Sequence, residues 1–275
     1  TAPAETVVFA PVQGGSITDS LARSGTAQIV KNGPGTLILE KPNTHSGGTV
    51  VGAGTLILRD LAALGSGPVV VLAGGTLRLD VPQGNVPVGS LTVEPGGAID
   101  LGSGRMTFAA GTSLASIQDL LQRGYSNGWS GTDGFISGAV GSVVGGSVGY
   151  LTNDDGTITA GLAAIGDTNL DGGVDILDIS GVLASGKFDS GNPASWAAGD
   201  FNYDGVIDVL DISDFLSVPL FDAGPYMPAQ APSMQGSAEA SSLTSVDAAF
   251  LSLAFEAGNP GLPSTKKVRA STPAT

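Results

Sequence analysis

The sequence lacks several residue types on which catalytic and redox sites depend. It contains no cysteine, which excludes disulfide bonds, thiol catalysis and cysteine-ligated metal centres. The presence of a single histidine, His45, rules out a multi-histidine metal site and argues against a catalytic triad that contains histidine. Its position at a corner of a repeated motif favours a structural role. Aromatic residues form only 5% of the chain, so few rings are available to stack on a sugar.

Positive charge and long apolar runs are also scarce. Eleven basic residues stand against 25 acidic ones, and the net charge of −14 argues against binding to nucleic acid or to anionic membrane surfaces. No apolar run reaches the ~18 residues of a membrane-spanning helix. Residues 1–5 carry no start methionine, basic segment or apolar segment. They favour a fragment of a longer protein over a chain whose signal peptide has been removed.

Glycine is abundant, and it marks a strand repeat in the first part of the chain. There are 43 glycines among 275 residues, a composition that suits short strands and turns better than long helices. The pentapeptide G-T-L-x-L begins at residues 35, 54 and 75, with weaker copies at 89 and 97. A period near 20 residues with one strand per unit predicts a parallel β-solenoid of the right-handed β-helix type over residues 1–115. A β-sandwich is the alternative.

One unit of this repeat is more specific. Residues 31–39 read K-N-G-P-G-T-L-I-L, residues 43–51 read N-T-H-S-G-G-T-V-V, and G-T-L follows at 54–56. These blocks resemble the passenger-associated repeat of autotransporters over residues 29–58, with His45 where that family usually has tyrosine. The resemblance implies a secreted or surface-exposed β-helical stalk, and it does not imply an enzyme.

Acidic residues are concentrated in a second region. Ten aspartates and one lysine lie between Asp167 and Asp214, and eight of these aspartates fall in two 12-residue segments that begin 33 residues apart. Oxygen donors occupy positions 1, 3, 5, 9 and 12 of each segment, a glycine occupies position 6, and position 7 offers its carbonyl. The predicted ligands are Asp167, Asn169, Asp171, Gly173, Asp175 and Asp178 in the first loop, and Asp200, Asn202, Asp204, Val206, Asp208 and Asp211 in the second. This spacing predicts two bound Ca²⁺ ions.

Apolar residues follow the same duplication. Val174 and Ile207, at position 8 of each loop, are predicted to pair through a short strand. The apolar residues of the amphipathic turn after each loop are predicted to pack the two units together; they are Ile179, Val182, Leu183, Ile212, Phe215 and Leu216. The pairs Ile176-Leu177 and Val209-Leu210, at positions 10 and 11, belong either to the core or to a partner-binding surface.

The duplicated loops resemble the type I dockerin family. Position 12 is aspartate instead of the longer glutamate, and no long helix precedes either loop. The resemblance covers residues 165–218, within a module at 161–218. It implies two bound Ca²⁺ ions, folding coupled to calcium, and docking to a cohesin-like protein domain. Recognition residues at positions 10 and 11 of dockerins are often small hydroxyl side chains, whereas this chain has apolar ones.

The remaining segments connect and follow these two regions. Residues 116–160 are predicted to form a connector with a helix at 116–125 and a hairpin at 151–160. Residues 219–275 are predicted to form a linker rich in proline, alanine and serine, with a helix at 243–256 and a basic tail. This order of elements resembles the C-terminal region of large planctomycete surface proteins.

The sequence therefore predicts a non-enzymatic, calcium-binding protein that is extracellular or on the cell surface. Its partner would be a cohesin-like domain or a cell-surface component. The alternative is the enzyme-tethering part of a polysaccharide-degrading protein, either a glycoside hydrolase or a lyase. Asp60, Asp80 and Asp100 recur every 20 residues, and they are predicted to stack as a solvated acidic ladder along one edge of the solenoid.

Overall fold

The computed structural model describes residues 5–226 of the chain. The predicted helix at 243–256 and the basic tail lie outside the described residues. Within the described range, none of the helices combines the length and the apolar character that crossing a bilayer requires.

Residues 5–108 wind into five successive coils of short strands. The first three coils have two strands each, and the next two have three. The strands are β1 (Thr6–Phe9), β2 (Ser16–Asp19), β3 (Gln28–Lys31), β4 (Thr36–Leu39), β5 (Thr49–Val51), β6 (Gly54–Leu58), β7 (Val69–Val71), β8 (Gly75–Leu79), β9 (Asn85–Val88), β10 (Leu91–Val93), β11 (Ala98–Asp100) and β12 (Arg105–Phe108).

Each strand pairs with the equivalent strand of the next coil, and the pairing between coils is parallel. One sheet has the order β1-β3-β5-β7-β10, and a second contains β2-β4-β6-β8-β11. The central leucine of the repeated pentapeptide stacks in register, so that Leu37, Leu56 and Leu77 form a fully buried column. The predicted parallel solenoid is confirmed, and the sandwich alternative is wrong, because these sheets are built from equivalent strands of successive coils.

Buried polar side chains in a turn and at a strand end link neighbouring coils. The Asn43 side chain accepts a bond from the backbone of Arg23 at 2.7 Å and donates one to the carbonyl of Ala63 at 2.7 Å. The buried Lys31 ammonium donates to the carbonyls of Gly33 and Ala53 at 2.8 and 2.6 Å. Backbone carbonyls, and not carboxylates, therefore accept these hydrogen bonds from the Lys31 ammonium.

The acidic ladder predicted along the solenoid edge is wrong. Arg59 lies between Glu40 and Asp80, at 3.2 and 3.0 Å, so the stack alternates in charge. Asp60 accepts a backbone bond within its own turn, and Asp100 faces an arginine of the preceding coil at 3.7 Å. The three aspartates are 20 residues apart, whereas paired residues of the second sheet are 19 to 22 positions apart in the chain, so the aspartates fall in different columns.

The C-terminal end of the solenoid is covered by a helix and a hairpin. Helix α1 spans Leu114–Ser126, and its Ser113 cap accepts a bond from Ser116. Strand β13 (Gly134–Ile136) joins the second sheet beside β11. Strands β14 (Gly146–Thr152) and β15 (Ile158–Ala164) form an antiparallel hairpin, and β15 pairs with β12 in a third sheet. The predicted helix and hairpin are confirmed, with strands that extend beyond the predicted range.

Two loop–helix units complete the described chain. Helix α2 spans Ile176–Ser185 and helix α3 spans Val209–Ser217; short 3₁₀ turns lie at Val140–Ser142 and Trp196–Ala198. A single cluster of buried apolar side chains runs from Ile29 in the solenoid to Tyr203 in the second loop. The division of the chain into a solenoid, a connector, a loop–helix module and a C-terminal linker stays a prediction, with bounds at 1–115, 116–160, 161–218 and 219–275.

Candidate metal centre and its surroundings

The two 12-residue loops have the same backbone conformation. Positions 4 and 6 are left-handed in both: Leu170 and Gly172 have φ of 58° and 93°, and Tyr203 and Gly205 have φ of 62° and 91°. Glycine adopts such angles without steric cost, whereas a side chain at position 4 is strained by about 1–2 kcal/mol. The duplicated sequence therefore folds into a duplicated turn.

Oxygen donors at positions 1, 3 and 5 accept backbone bonds inside each loop. In the first loop Asp167 accepts from Gly172 at 3.1 Å, Asn169 from Asp171 at 2.8 Å, and Asp171 from Gly173 at 2.9 Å. The second loop repeats these bonds, from Gly205 to Asp200 at 3.1 Å, from Asp204 to Asn202 at 2.8 Å and from Val206 to Asp204 at 3.0 Å.

Positions 9 and 12 begin the helix that follows each loop. Asp175 and Asp178 form a reciprocal capping box at the start of α2, and Asp208 and Asp211 form the same box at α3. The position-12 carboxylates also reach back to the start of their loops, where Asp178 accepts from Thr168 at 2.8 Å and Asp211 from Phe201 at 2.9 Å. These short aspartates hold both ends of each loop together, and both are buried.

Burial without a counter-charge dominates the electrostatics of both loops. It raises the pKa of Asp167 to about 6, although a hydrogen bond from Tyr226 opposes the shift. It also raises the pKa of Asp200 to about 6, and the negative charges of Asp211 and Asp204 add to the effect. Asp200 is 4% exposed, and its Oδ1 has no hydrogen-bond partner. A buried, unpartnered carboxylate oxygen suits a cation ligand.

The carboxylates alone do not form a ready metal cluster. Across residues 5–226, no three histidine, aspartate or glutamate side chains stand together closely enough to hold an ion. The donor set of each loop is mixed, because asparagine at position 3 and the carbonyl at position 7 supply oxygens besides the carboxylates. Such mixed oxygen sets match the preference of Ca²⁺ for six to eight hard ligands at about 2.3–2.6 Å.

The predicted pairing of the two loops through position 8 is wrong. Val174 and Ile207 are both buried, but Ile207 forms a parallel bridge with Phe188. The carbonyl of Val174 instead accepts a bond from Asp222 at 2.8 Å. Segments outside the 12-residue pattern therefore occupy the positions at which the loops would have met.

Tyr226 is a loop contact that the sequence reasoning missed. Its hydroxyl donates to Asp167 Oδ2 at 2.5 Å, and its backbone N–H donates to the Gly172 carbonyl at 3.0 Å. The second loop has no equivalent contact in the described part of the chain, since Asp200 Oδ1 is unpartnered. The only available signal was a tyrosine in a segment rich in proline, which by itself predicts nothing about a loop 59 residues earlier in the chain.

Position 4 of each loop packs into the hairpin that covers the solenoid. A Cβ on Gly149 of β14 would come within 2.7 Å of Leu170 and of the Trp196 ring, so glycine permits this approach. The Trp196 indole N–H donates to the Asp167 carbonyl at 2.6 Å. The strained position-4 residues, Leu170 and Tyr203, thus hold both loops against strand β14 of the hairpin.

The pairs at positions 10 and 11 lie on the surface. Ile176 and Leu177 are 62% and 64% exposed, and Val209 and Leu210 are 69% and 58% exposed. The core alternative for these residues is therefore wrong.

The predicted packing of the amphipathic turns against each other is correct only in part. Ile179, Val182, Ile212 and Phe215 are half-buried, while Leu183 and Leu216 are about three-quarters exposed, at 75% and 74%. An apolar groove of about 170 Å³ runs between α2 and α3.

His45 is buried in the solenoid. Its Nε2 lies 3.2 Å from the Thr49 hydroxyl, its Nδ1 has no partner, and burial lowers its pKa. A buried ring held in this way fits the structural role predicted for it.

Comparisons with known proteins give one family match and one similar protein. A family model described as the passenger-associated-transport-repeat matches residues 29–58. The chain is also similar to the adhesin BmaC autotransporter of Brucella suis biovar 1 (strain 1330), with 38% identity over 88 residues. That similarity covers 32% of this chain and spans about 2% of the relative's length. No solved structure matches the chain. The family match lies within the coils and does not reach the loop–helix units.

Proposed function

We propose that this chain is part of a non-enzymatic protein of the cell surface or the extracellular space, with a β-helical stalk like that of an autotransporter adhesin. The observation that carries this proposal is the passenger-associated repeat at residues 29–58, which occupies consecutive coils of the solenoid. A stack of coils joined by parallel strands makes an extended, rigid spacer. Neither comparison concerns a polysaccharide-degrading enzyme, so the proposal is the non-enzymatic one.

We further propose that the loop–helix module binds two Ca²⁺ ions in a dockerin-like manner. The ligands are the twelve predicted residues, six from each loop. Calcium supplies positive charge that the buried Asp167 and Asp200 lack, and its role is structural. Because the carboxylates in each loop repel one another, metal binding stabilises the folded loops.

The exposed pairs Ile176-Leu177 and Val209-Leu210 are the proposed docking surface for a protein partner. They begin α2 and α3 at equivalent positions, directly after the two calcium loops. A cohesin-like domain or another cell-surface component with an apolar patch is the proposed class of partner. Replacing Leu177 and Leu210 with glutamate should abolish capture of a cohesin-like domain in calcium, while calcium binding itself persists. Equal capture by this variant and the wild type would reject the surface.

Calorimetric titration of the whole chain with Ca²⁺ tests the calcium sites. We expect two ions per chain, and one ion after either Asp171→Ala or Asp204→Ala, because each change removes the position-5 ligand of one loop. Asp214→Ala is the matched control: it removes an aspartate of the same acidic segment that lies outside both loops, and it should retain two ions. Absence of binding at millimolar calcium would reject the calcium proposal.

A further inference from the structure

The second calcium loop is built into the end of the solenoid through Tyr203. This residue lies between Asn202 and Asp204, two of the proposed ligands. Its ring centroid lies 5.6 Å from that of Tyr125 in α1, 5.5 Å from that of Trp129 and 5.9 Å from that of Trp196. Aromatic pairs at these distances stabilise the packing beyond the effect of the apolar area that they bury.

The hydroxyl of Tyr203 extends the connection into the sheets. It donates to the carbonyl of Val148 in β14. Strand β14 pairs with β15, and β15 pairs with β12 of the fifth coil. Three steps of direct contact therefore lead from a calcium loop to the solenoid.

A cavity of about 270 Å³ separates α1 from the second loop. Gln118, Asp119 and Gln122 line it from the helix, and Asp200 and Asp204 line it from the loop. The Asp200 carboxylate is nearly fully buried, and its Oδ1 has no partner. The first loop differs, because there the position-1 carboxylate accepts a hydrogen bond from Tyr226.

We propose that calcium bound at the second loop closes the C-terminal end of the solenoid, with Tyr203 as the positioning residue that transmits the effect to α1 and the hairpin. The inference rests on the proposed calcium sites. It goes beyond them, because it proposes that one ion also stabilises α1 and the β14–β15 hairpin, which lie outside the loop–helix module.

The physical reason is the strained backbone of Tyr203. Its φ of 62° is unfavourable for a residue with a side chain, so the loop must hold it in place. An ion that ligates both neighbours of Tyr203 fixes this conformation, and release of the ion frees the ring to leave the aromatic cluster. At calcium 100-fold above Kd, linkage predicts about 100-fold less opening of any segment whose opening requires release of the ion.

Hydrogen–deuterium exchange on the full chain measures this coupling. We expect amides of α1 and of β14–β15 to exchange up to about 100-fold more slowly in calcium than in chelator. Asp204→Ala should abolish that difference, whereas Asp171→Ala, the same change in the first loop, should retain it in α1. Trp129 and Trp196 both contact Tyr203, so their fluorescence should report the same transition.

Tyr203→Leu separates calcium binding from its transmission. Leucine is the residue that the first loop carries at this position, Leu170, so the loop conformation is compatible with it. We expect this variant to bind two ions while α1 no longer responds to calcium. Tyr203→Phe, which keeps the ring and removes the bonds of the hydroxyl to Val148 and Ser147, should retain most of the response.

Two results would contradict the proposal in different ways. Two bound ions in the wild type with no change in α1 exchange would overturn the coupling and leave the calcium sites standing. Absence of any bound ion would reject the calcium sites and, with them, the coupling.

Discussion

At the scale of single residues, the solenoid interior tolerates polar groups that the turns can satisfy. Asn43 is bonded to the coil on either side of it, and Lys31 is surrounded by carbonyls. His45 is the exception, because one of its ring nitrogens has no partner. An unsatisfied buried nitrogen is costly, and protonation of that ring inside the core would cost more.

The stability of the solenoid should therefore depend on pH through His45. Its folded pKa lies below the ordinary value of 6.5, so the unfolded chain takes up the proton first. The free energy of unfolding should fall as the pH drops below about 6.5, by at most about 1.4 kcal/mol per pH unit. His45→Gln, measured by urea unfolding in the same buffers between about pH 5 and pH 7.5, should lose this component. A wild type and variant with parallel pH profiles would contradict the prediction.

At the scale of elements, close approach between coils requires glycine at the strand starts. Gly54 has φ of 68°, and a Cβ there would lie 2.4 Å from the Gly35 carbonyl of the preceding coil. Gly74 has φ of 80°, and a Cβ there would meet no atom within 4 Å. The two positions share the backbone conformation and differ in their surroundings.

Alanine substitution should separate these two roles of glycine. Gly74→Ala should lower the free energy of unfolding by about 1–2 kcal/mol, the cost of a left-handed conformation for a residue with a side chain. Gly54→Ala should cost clearly more, because the coils must also move apart. Chemical denaturation of both variants tests this, and equal losses would show that coil contact at Gly54 contributes nothing.

At the scale of the whole described chain, one apolar core joins the solenoid to the loop–helix units. Both tryptophans lie at this junction, where they contact Tyr203. The solenoid strands and the junction can therefore be followed separately, by far-UV circular dichroism and by tryptophan fluorescence.

These two signals should respond differently to calcium removal. In calcium, thermal unfolding should give coincident transitions, because the shared core makes the chain cooperative. In chelator, the fluorescence transition should move to lower temperature and precede the loss of strand signal. Coincident transitions in both conditions would show that the junction does not depend on calcium. Asp214→Ala, the control that spares both loops, should behave as the wild type.

Much of this architecture could be predicted from local pattern. Apolar residues two apart, recurring about every 20 residues behind a glycine, specify strands that bury one face, and parallel stacking follows because each unit repeats. Helix α1 and the hairpin were predictable from periodicity and from an Asp-Gly turn. The loop turns were predictable too, since glycine at position 6 and aspartate at positions 9 and 12 act within one short segment.

The sequence by itself determined the coils and the two loops, because both depend on interactions between residues close in the chain or equivalent in a repeat. Only the tertiary structure decided which charges stack, as with Arg59 between Glu40 and Asp80. It also decided that Tyr203 and Trp196 join the loops to the hairpin, and that Tyr226 reaches Asp167. Those contacts link residues 29 to 59 positions apart, and no local propensity encodes a distance of that kind.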